Sequence, residues 1–210
     1  MGDHDHWHDR WNEGRTGFHQ GETINAHLQR HWGSLAVDPG APVLVPLCGK
    51  TTDLIYLRSL GHEVVGVELS PIACEAFFEE NALAHTREGE RFVGDGITLV
   101  CGDYFAPRDL PAFGAVYDRA ALIAIPPSWR ERYIATTRRL AAPGAPMLLL
   151  TLEYPSKDKS GPPFSIAPDL VRELYGSERV ELLEQEDRSD QEGVKWGLEY
   201  LHQYAMRVIC

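Results

Sequence analysis

The sequence predicts an α/β fold, in which a mostly parallel sheet carries helices on both faces and ends in an antiparallel hairpin. Two observations predict it. Short apolar runs alternate with segments of helical pattern over residues 42–154, as in a parallel sheet whose strands are joined by helices. Two further strand-like stretches, 180–187 and 198–209, are separated by only ten residues with no predicted helix, which favours a hairpin.

The predicted strands are short apolar runs of the kind found in strands buried on both faces. They cover residues 42–50, 63–69, 97–105, 115–125 and 145–154. Segments with helical apolar spacing are found at residues 23–32, 53–60, 71–82, 129–141 and 168–175. Thr23 or Asn25 is expected to cap the first helix, and Gly61 to end the second. Residues 1–20 have no strong period, so we predict an arm without regular structure there.

The composition indicates one globular domain over residues 1–210, with 43% hydrophobic and 24% charged residues. The net charge of −11 repels phosphate backbones and anionic membranes, so we expect neither as a partner. No apolar run approaches the roughly 20 residues that cross a bilayer, and the polar N-terminus does not look like a secretory signal. The four cysteines lack CxxC spacing, so we expect free thiols in a cytoplasmic protein. Separately, we expect a monomer.

Residues at three predicted strand ends form a candidate ligand site, because ligands of open α/β sheets lie beyond the carboxyl ends of the strands. Gly49 follows the first strand, and Glu68 ends the second strand at an offset that suits binding to ribose hydroxyls. Asp103 follows the third strand, where a polar group can meet an adenine amine. As an alternative, Glu68 is a surface acid without a ligand.

The spacing alone does not separate a nicotinamide dinucleotide from an adenosyl ligand. A dinucleotide site calls for G-x-G-x-x-G, so that a pyrophosphate can bind a helix N-terminus. The loop here reads PLCGKTTD and has one glycine, which favours a ligand without phosphates.

Several segments together resemble the bacterial branch of the thiopurine S-methyltransferase family, in the family's order along almost the whole chain. They are WHDRWNEGRTGFHQ (7–20), VLVPLCGKTTDLIYL (43–57), GHEVVGVELSPIACEAFF (61–78), CGDYF (101–105), YDRAALIAIPP (117–127), TLEY (151–154) and GPPFSI (161–166). The resemblance implies the Rossmann-like sheet of class I methyltransferases, which commonly ends in an antiparallel hairpin. It also implies S-adenosyl-L-methionine as cofactor, with S-adenosyl-L-homocysteine as product.

The resemblance further implies roles for single residues. The residues that match cofactor contacts of the family are Trp11, Leu47, Glu68 and Arg119, with Gly49 in the same loop and Asp103 and Tyr104 where the family holds the adenine. Phe18 matches a position beside the substrate. The implied reaction is direct methyl transfer to the sulfur of a thiopurine or another small aromatic thiol, with the arm over residues 1–22 and the segment 155–166 as covers of the site.

Other interpretations of these residues stay open. Trp7 and Trp11 lie four residues apart and can simply anchor the arm to the core. Arg119 can form a surface ion pair, which contributes under about 1 kcal/mol. His19 is a candidate general base or a structural histidine, and Arg119 is the other candidate catalytic residue. Cys48 is expected to be a buried, inert thiol.

The alternating His4, His6 and His8 resemble a metal-binding tract but have no cysteine or carboxylate at zinc-like spacing. We therefore interpret them as a solvated tail and predict no metal site.

Three other functions compete with thiol methylation. A methyltransferase of the same build could act on selenium or tellurium oxyanions, halides or simple thiols. A nicotinamide-dependent oxidoreductase would need the phosphate-binding glycines that are missing here. A third alternative is an adenosyl-binding protein without turnover.

Overall fold

The structure is a computed structural model that describes residues 9–14, 23–106, 109–155 and 161–210. Its strands are β1 (Val43–Pro46), β2 (Val64–Glu68), β3 (Thr86–Glu88), β4 (Arg91–Gly94), β5 (Ile97–Cys101), β6 (Ala115–Arg119), β7 (Pro146–Glu153), β8 (Val180–Asp187) and β9 (His202–Ile209). Its α-helices are α1 (residues 9–12), α2 (Ala26–His31), α3 (Asp53–Ser59), α4 (Pro71–Glu80), α5 (Arg130–Leu140), α6 (Pro168–Tyr175) and α7 (Val194–Trp196).

All the strands of the described residues belong to one sheet, in the order β3-β4-β5-β2-β1-β6-β7-β9-β8. Strands β5, β2, β1, β6 and β7 are parallel. Strand β9 is antiparallel to β7 and to β8, which confirms the predicted C-terminal hairpin. The chain runs from β1 outward to β2 and β5, then returns to β6 on the other side of β1. This reversal of strand order is where α/β sheets bind ligands.

Helices cover both faces of the sheet, as predicted. Successive side chains of β1 point to opposite faces, and each face packs against helices. Leu44 packs into a cluster with Tyr133 of α5 and Val171 of α6. Val43 packs on the opposite face, in a cluster with Leu28 of α2. No helix in the described part of the chain is long and apolar enough to cross a bilayer.

Three predicted strands end earlier than expected, because the backbone turns sharply at each end. Strand β1 stops at Pro46 rather than at residue 50, since Leu47 adopts a positive φ of 48°. Strand β5 stops at Cys101 rather than at residue 105. Strand β6 stops at Arg119 rather than at residue 125, since Ala120 adopts a positive φ of 65°. Oδ1 of Asp118 then accepts hydrogen bonds from the backbone N–H groups of Ala121 and Leu122, which turns the chain away from the sheet.

The N-terminal part of the chain differs from the prediction in two places. Residues 9–12 form a helical turn in the arm that was predicted to be irregular, and the N–H of Glu13 donates to the carbonyl of Asp9 at 2.9 Å. Helix α2 begins only after Asn25, whose side chain accepts from the N–H groups of His27 and Leu28. Asn25, and not Thr23, is therefore its cap.

The antiparallel hairpin of β3 and β4 was not predicted. Its residues are mostly exposed and polar, so they form no apolar run, and Phe92 is the fully buried side chain among them. The turn from β4 into β5 does carry a local signal, because Asp95 and Gly96 both adopt positive φ, as Asp-Gly turns between paired strands commonly do.

The connection between β8 and β9 contains helical turns, so the expectation of no helix there was wrong. A π-helical turn spans Ser189–Gly193 and is followed by α7. Strand β9 consequently starts at His202 instead of residue 198.

Candidate active site

The chain after β1 makes a strained turn at the edge of the sheet. Leu47 has a φ of 48° and Gly49 a φ of 56°, and Leu47 adopts this conformation although it carries a Cβ. Non-glycine residues in this region are enriched at ligand sites. Trp11 packs on the turn, because its Cζ2 atom lies 3.6 Å from where a Cβ of Gly49 would stand. Trp11 itself is buried.

Glu68 joins the ends of two neighbouring elements. Its Oε2 accepts from the backbone N–H of Gly49 at 2.8 Å, and its Oε1 accepts from that of Ser70 at 2.8 Å. The side chain is 7% exposed, so the alternative of a solvated surface acid is wrong. Burial raises the pKa of Glu68 above its ordinary value, and backbone hydrogen bonds from Ser70, Gly49 and Leu69 oppose that rise.

Arg119, at the end of β6, forms an ion pair with a buried carboxylate. Its Nη1 lies 3.1 Å from Oδ2 of Asp53 and donates also to Thr51 Oγ1 at 3.2 Å. Asp53 is fully buried and accepts from the hydroxyl of Tyr117 and the N–H of Asn25. The ion pair is therefore not the exposed surface pair considered above.

Asp103 and Tyr104 follow β5 and point in different directions. Oδ1 of Asp103 accepts from the N–H of Phe105 at 2.9 Å, which holds the carboxylate in a tight turn. The Tyr104 hydroxyl instead bonds to Thr137 Oγ1 of α5 at 2.9 Å. Burial raises the pKa of Tyr104. Its hydroxyl forms a hydrogen bond within the core rather than facing the turn at Asp103.

A cavity of about 750 Å³ lies along the carboxyl ends of these strands. The residues predicted to contact a cofactor all line it, namely Trp11, Leu47, Gly49, Glu68, Asp103, Tyr104 and Arg119. Its size is typical of cavities that bind small molecules. The structure thus brings together residues that span more than half of the sequence.

The other end of this cavity, at β7 and β9, could not be predicted from the sequence pattern. Thr151, Leu152 and Gln203 line it there, as do Ile123 and Trp129 near β6. The residues contributed by the connection between β8 and β9 are Arg188, Glu192, Lys195 and Trp196. Thr151 is fully buried, and its Oγ1 has no hydrogen-bond partner among the described residues. Such a group points to a ligand, because an unsatisfied buried hydroxyl is costly.

The remaining candidates have mixed outcomes. Cys48 is buried, and burial raises the pKa of its thiol, which agrees with an inert cysteine. Phe18, His19 and the His4–His8 tract lie outside the described residues, so their predicted roles stay predictions. The same holds for Trp7 as an anchor of the arm.

Solved structures with the same fold are methyltransferases. One is a Burkholderia thailandensis 1,6-didemethyltoxoflavin-N1-methyltransferase with bound 1,6-didemethyltoxoflavin and S-adenosylhomocysteine. Its TM-score to this chain is 0.65 at 16% sequence identity, and the match covers 98% of this chain and 86% of that protein. Another is a TehB-like SAM-dependent methyltransferase from Corynebacterium glutamicum. Its TM-score is 0.59 at 15% sequence identity, and the match covers 99% of this chain and 98% of that protein. These structures show that the chain has the fold of S-adenosylmethionine-dependent methyltransferases. The family match given next shows that the chain is an enzyme of this class.

Sequence comparison identifies the family. The family model described as Thiopurine S-methyltransferase matches residues 2–208. The thiopurine S-methyltransferase of Xanthomonas campestris is 46% identical over 198 residues, which is 90% of each chain. That of Methylococcus capsulatus is 47% identical over 195 residues, 88% of this chain and 86% of the relative. The chain belongs to the thiopurine S-methyltransferase family, and the nicotinamide alternative is excluded.

Proposed function

We propose that the chain transfers the methyl group of S-adenosylmethionine to the sulfur of a thiopurine or another small aromatic thiol. The observation that carries this proposal is the composition of the cavity at β7 and β9. Its walls there include Trp129, Ile123 and Leu152, which suit a flat aromatic ring, and Thr151, whose hydroxyl has no hydrogen-bond partner among the described residues. The names of the relatives agree with this acceptor class.

The strand ends fit an adenosyl group. A carboxylate oxygen has two acceptor positions, and each oxygen of Glu68 uses one for a backbone N–H, so each keeps one for a ribose hydroxyl. We assign the adenine to the turn at Asp103 and Tyr104, and the amino-acid part of the cofactor to the side of Arg119. Leu47, Gly49 and Trp11 provide the surface on which the adenosyl group would lie.

When bound, S-adenosylmethionine would supply a methyl group on a positively charged sulfur: the acceptor sulfur would bond to the methyl carbon as the bond from that carbon to the sulfonium sulfur breaks, which leaves S-adenosylhomocysteine. The residues of the chain orient the two reactants and exclude water. Alignment of two bound reactants can lower a barrier by up to roughly 7–11 kcal/mol. Apolar walls at Ile123 and Trp129 also keep water from the acceptor.

The acceptor thiol is proposed to lose its proton before it enters the cavity. Among the described residues that line the cavity, none is a histidine or a cysteine that would take the proton. Charged side chains of both signs line the cavity: Arg10, Arg119, Arg188 and Lys195, and Glu68, Asp103 and Glu192. The charge of the cavity therefore does not by itself select a thiolate.

We also propose that residues 1–22 cover the site within a single domain over residues 1–210. Arg10 and Trp11 line the cavity although they precede the first strand by more than thirty residues of sequence. A cover of this kind would close the adenosyl side of the cavity to solvent.

The proposal is tested by offering matched acceptors to the purified full chain with S-adenosylmethionine. We expect a methylated product with mercaptopurine and none with hypoxanthine, which carries oxygen in place of that sulfur. Mass spectrometry of the products distinguishes the two. Methylation of selenite without methylation of mercaptopurine would overturn the thiol acceptor, while leaving the methyltransferase class intact.

A further inference from the structure

A cluster of two histidines and two glutamates lies away from the cavity, between α2 and the edge strand β8. His27 and His31 are one turn apart on α2, and their rings stack with an interplanar angle of 14°. Oε2 of Glu184 lies 2.9 Å from Nδ1 of His27 and 2.5 Å from Nε2 of His31. Oε2 of Glu186 lies 3.1 Å from Nε2 of His27.

A bulge in β8 directs both glutamates towards α2. Leu182 pairs with Met206 of β9, but Glu184 pairs with Ala205, so one residue is left unpaired between them. This shift moves Glu184 and Glu186 to the face of Ala205, which packs with Leu28 of α2. Bulges commonly re-aim side chains at functional positions.

The donor set is one that binds zinc. Imidazole nitrogens and carboxylate oxygens are ordinary zinc ligands, and two histidines four residues apart on a helix present their rings to one ion. One ligand atom from each of His27, His31 and Glu184 lies within 4.8 Å of the others. Three protein ligands leave a fourth position of a tetrahedral ion for water.

Glu186 lies where a carboxylate that orients a metal-bound histidine would be expected. Metal-bound histidines usually donate their other ring N–H to a carboxylate, which fixes the ring. Nε2 of His27 is buried and forms no hydrogen bond within the described residues, although Glu186 Oε2 is close by. A slight turn of the imidazole would align the pair and leave Nδ1 for the metal.

The side chain of Arg30 also contacts this cluster, in the position that a cation would take. Its Nε lies 3.1 Å from Glu184 Oε2, and its Nη2 lies 3.0 Å from His27 Nδ1. Three nitrogen groups therefore converge on one carboxylate oxygen. The Arg30 side chain is 45% exposed, so it can turn into solvent when an ion enters.

We propose that His27, His31 and Glu184 bind a divalent transition-metal ion of the zinc class, with Glu186 orienting His27. This site would replace the sequence-based expectation of no metal. The ion would link α2 to β8: α2 is held to Asp53 through Asn25, and β8 leads into the connection that carries Arg188, which lines the cavity. Its role is to fasten these segments together.

The test uses the full chain with His4, His6 and His8 changed to alanine, so that the N-terminal tract cannot bind metal. After chelator treatment, calorimetric titration with Zn²⁺ is expected to show one bound ion per chain, and thermal unfolding with Zn²⁺ is expected to shift upward. In the same background, His31→Ala is expected to abolish that binding. Glu186→Gln is expected to weaken it by roughly tenfold or more.

Two variants serve as matched controls. His85→Ala removes another histidine near a glutamate, since His85 Nε2 lies 3.6 Å from Glu75 Oε1, and should leave Zn²⁺ affinity unchanged. Arg30→Ala removes the competing cation and should keep or raise the affinity. No binding in the background chain, equal binding by His31→Ala, or weaker binding by Arg30→Ala would overturn the proposal.

Discussion

The Oε2 atom of Glu68, at the end of β2, accepts a hydrogen bond of 2.8 Å from the backbone N–H of Gly49, in the turn after β1. This contact fixes the carboxylate at the point where strand order reverses. It also sets the turn that carries Leu47 and faces Trp11. The cofactor assignment depends on this pair more than on any other contact.

Glu68→Ala is expected to weaken binding of S-adenosylhomocysteine by more than tenfold. Hydrogen bonds to a charged group contribute about 1.5–3 kcal/mol each, and every 1.4 kcal/mol is a factor of ten in affinity. Calorimetry measures the change. Glu63→Ala is the control, because Glu63 precedes the same strand and is exposed. Equal affinity of both variants would reject the ribose contact.

Trp11→Ala is expected to weaken S-adenosylhomocysteine binding by about tenfold, because the ring packs on the Gly49 turn and lines the cavity. Trp11→Phe keeps an aromatic surface and should recover most of the affinity. The comparison by calorimetry tests residues 1–22 as a cover. If the alanine variant bound as tightly as the unchanged chain, the arm would not cover the adenosyl side.

Thr151→Val is expected to lower kcat/KM for mercaptopurine by about fivefold without a change in affinity for S-adenosylhomocysteine. Valine has nearly the same shape and lacks the hydroxyl that has no hydrogen-bond partner among the described residues. The free enzyme should therefore be at least as stable as the unchanged chain in urea unfolding. A variant with unchanged kcat/KM would show that the hydroxyl does not contact the acceptor.

Arg119→Ala is expected to lower the free energy of unfolding by about 3 kcal/mol, because it leaves the buried carboxylate of Asp53 without its cation. Adding Asp53→Asn should recover part of that loss, since the second change removes the uncompensated charge. Urea unfolding of the two single variants and the double variant gives the coupling. Strictly additive losses would contradict an energetically coupled pair.

Asp118→Asn is expected to change how stability depends on pH. Burial raises the pKa of Asp118 from 3.8 to about 6, against hydrogen bonds from Tyr133, Leu122 and Ala121. The folded state therefore binds the Asp118 proton more tightly than the unfolded state does. The contribution of this proton to the free energy of unfolding is complete below pH 3.8 and is lost as the pH rises through about 6. One pKa unit is worth about 1.36 kcal/mol, so ionisation inside the fold costs on the order of 3 kcal/mol.

The asparagine variant should therefore gain stability relative to the unchanged chain as the pH rises from 3.8 through about 6. Urea unfolding at a series of pH values measures this difference. Asp38→Asn, at an exposed position, is the control and should not show the trend. A difference that is independent of pH would contradict a buried, proton-binding Asp118.

Much of the fold could be predicted because its parallel strands are continuous apolar runs. The carboxyl ends of such strands meet at one edge, so Gly49, Glu68 and Asp103 could be placed together from sequence. The polar hairpin of β3 and β4 gives no such run, and the ends of β5 and β6 depend on backbone turns at Gly102 and Ala120.

The acceptor side of the site could not be predicted from local patterns. Thr151 is a polar residue within the buried, otherwise apolar part of β7, but the lack of a hydrogen-bond partner for its hydroxyl among the described residues is a tertiary property. His27 and Glu184 are 157 residues apart in sequence. Their contact depends on a bulge in β8 that the alternation of apolar and polar residues along the sequence does not reveal.

A crystal structure of the chain with S-adenosylhomocysteine tests the central claim most directly. We expect both ribose hydroxyls within hydrogen-bond distance of the Glu68 carboxylate, and the homocysteine sulfur facing the part of the cavity at Thr151. A ligand bound elsewhere, or with its ribose away from Glu68, would contradict the account.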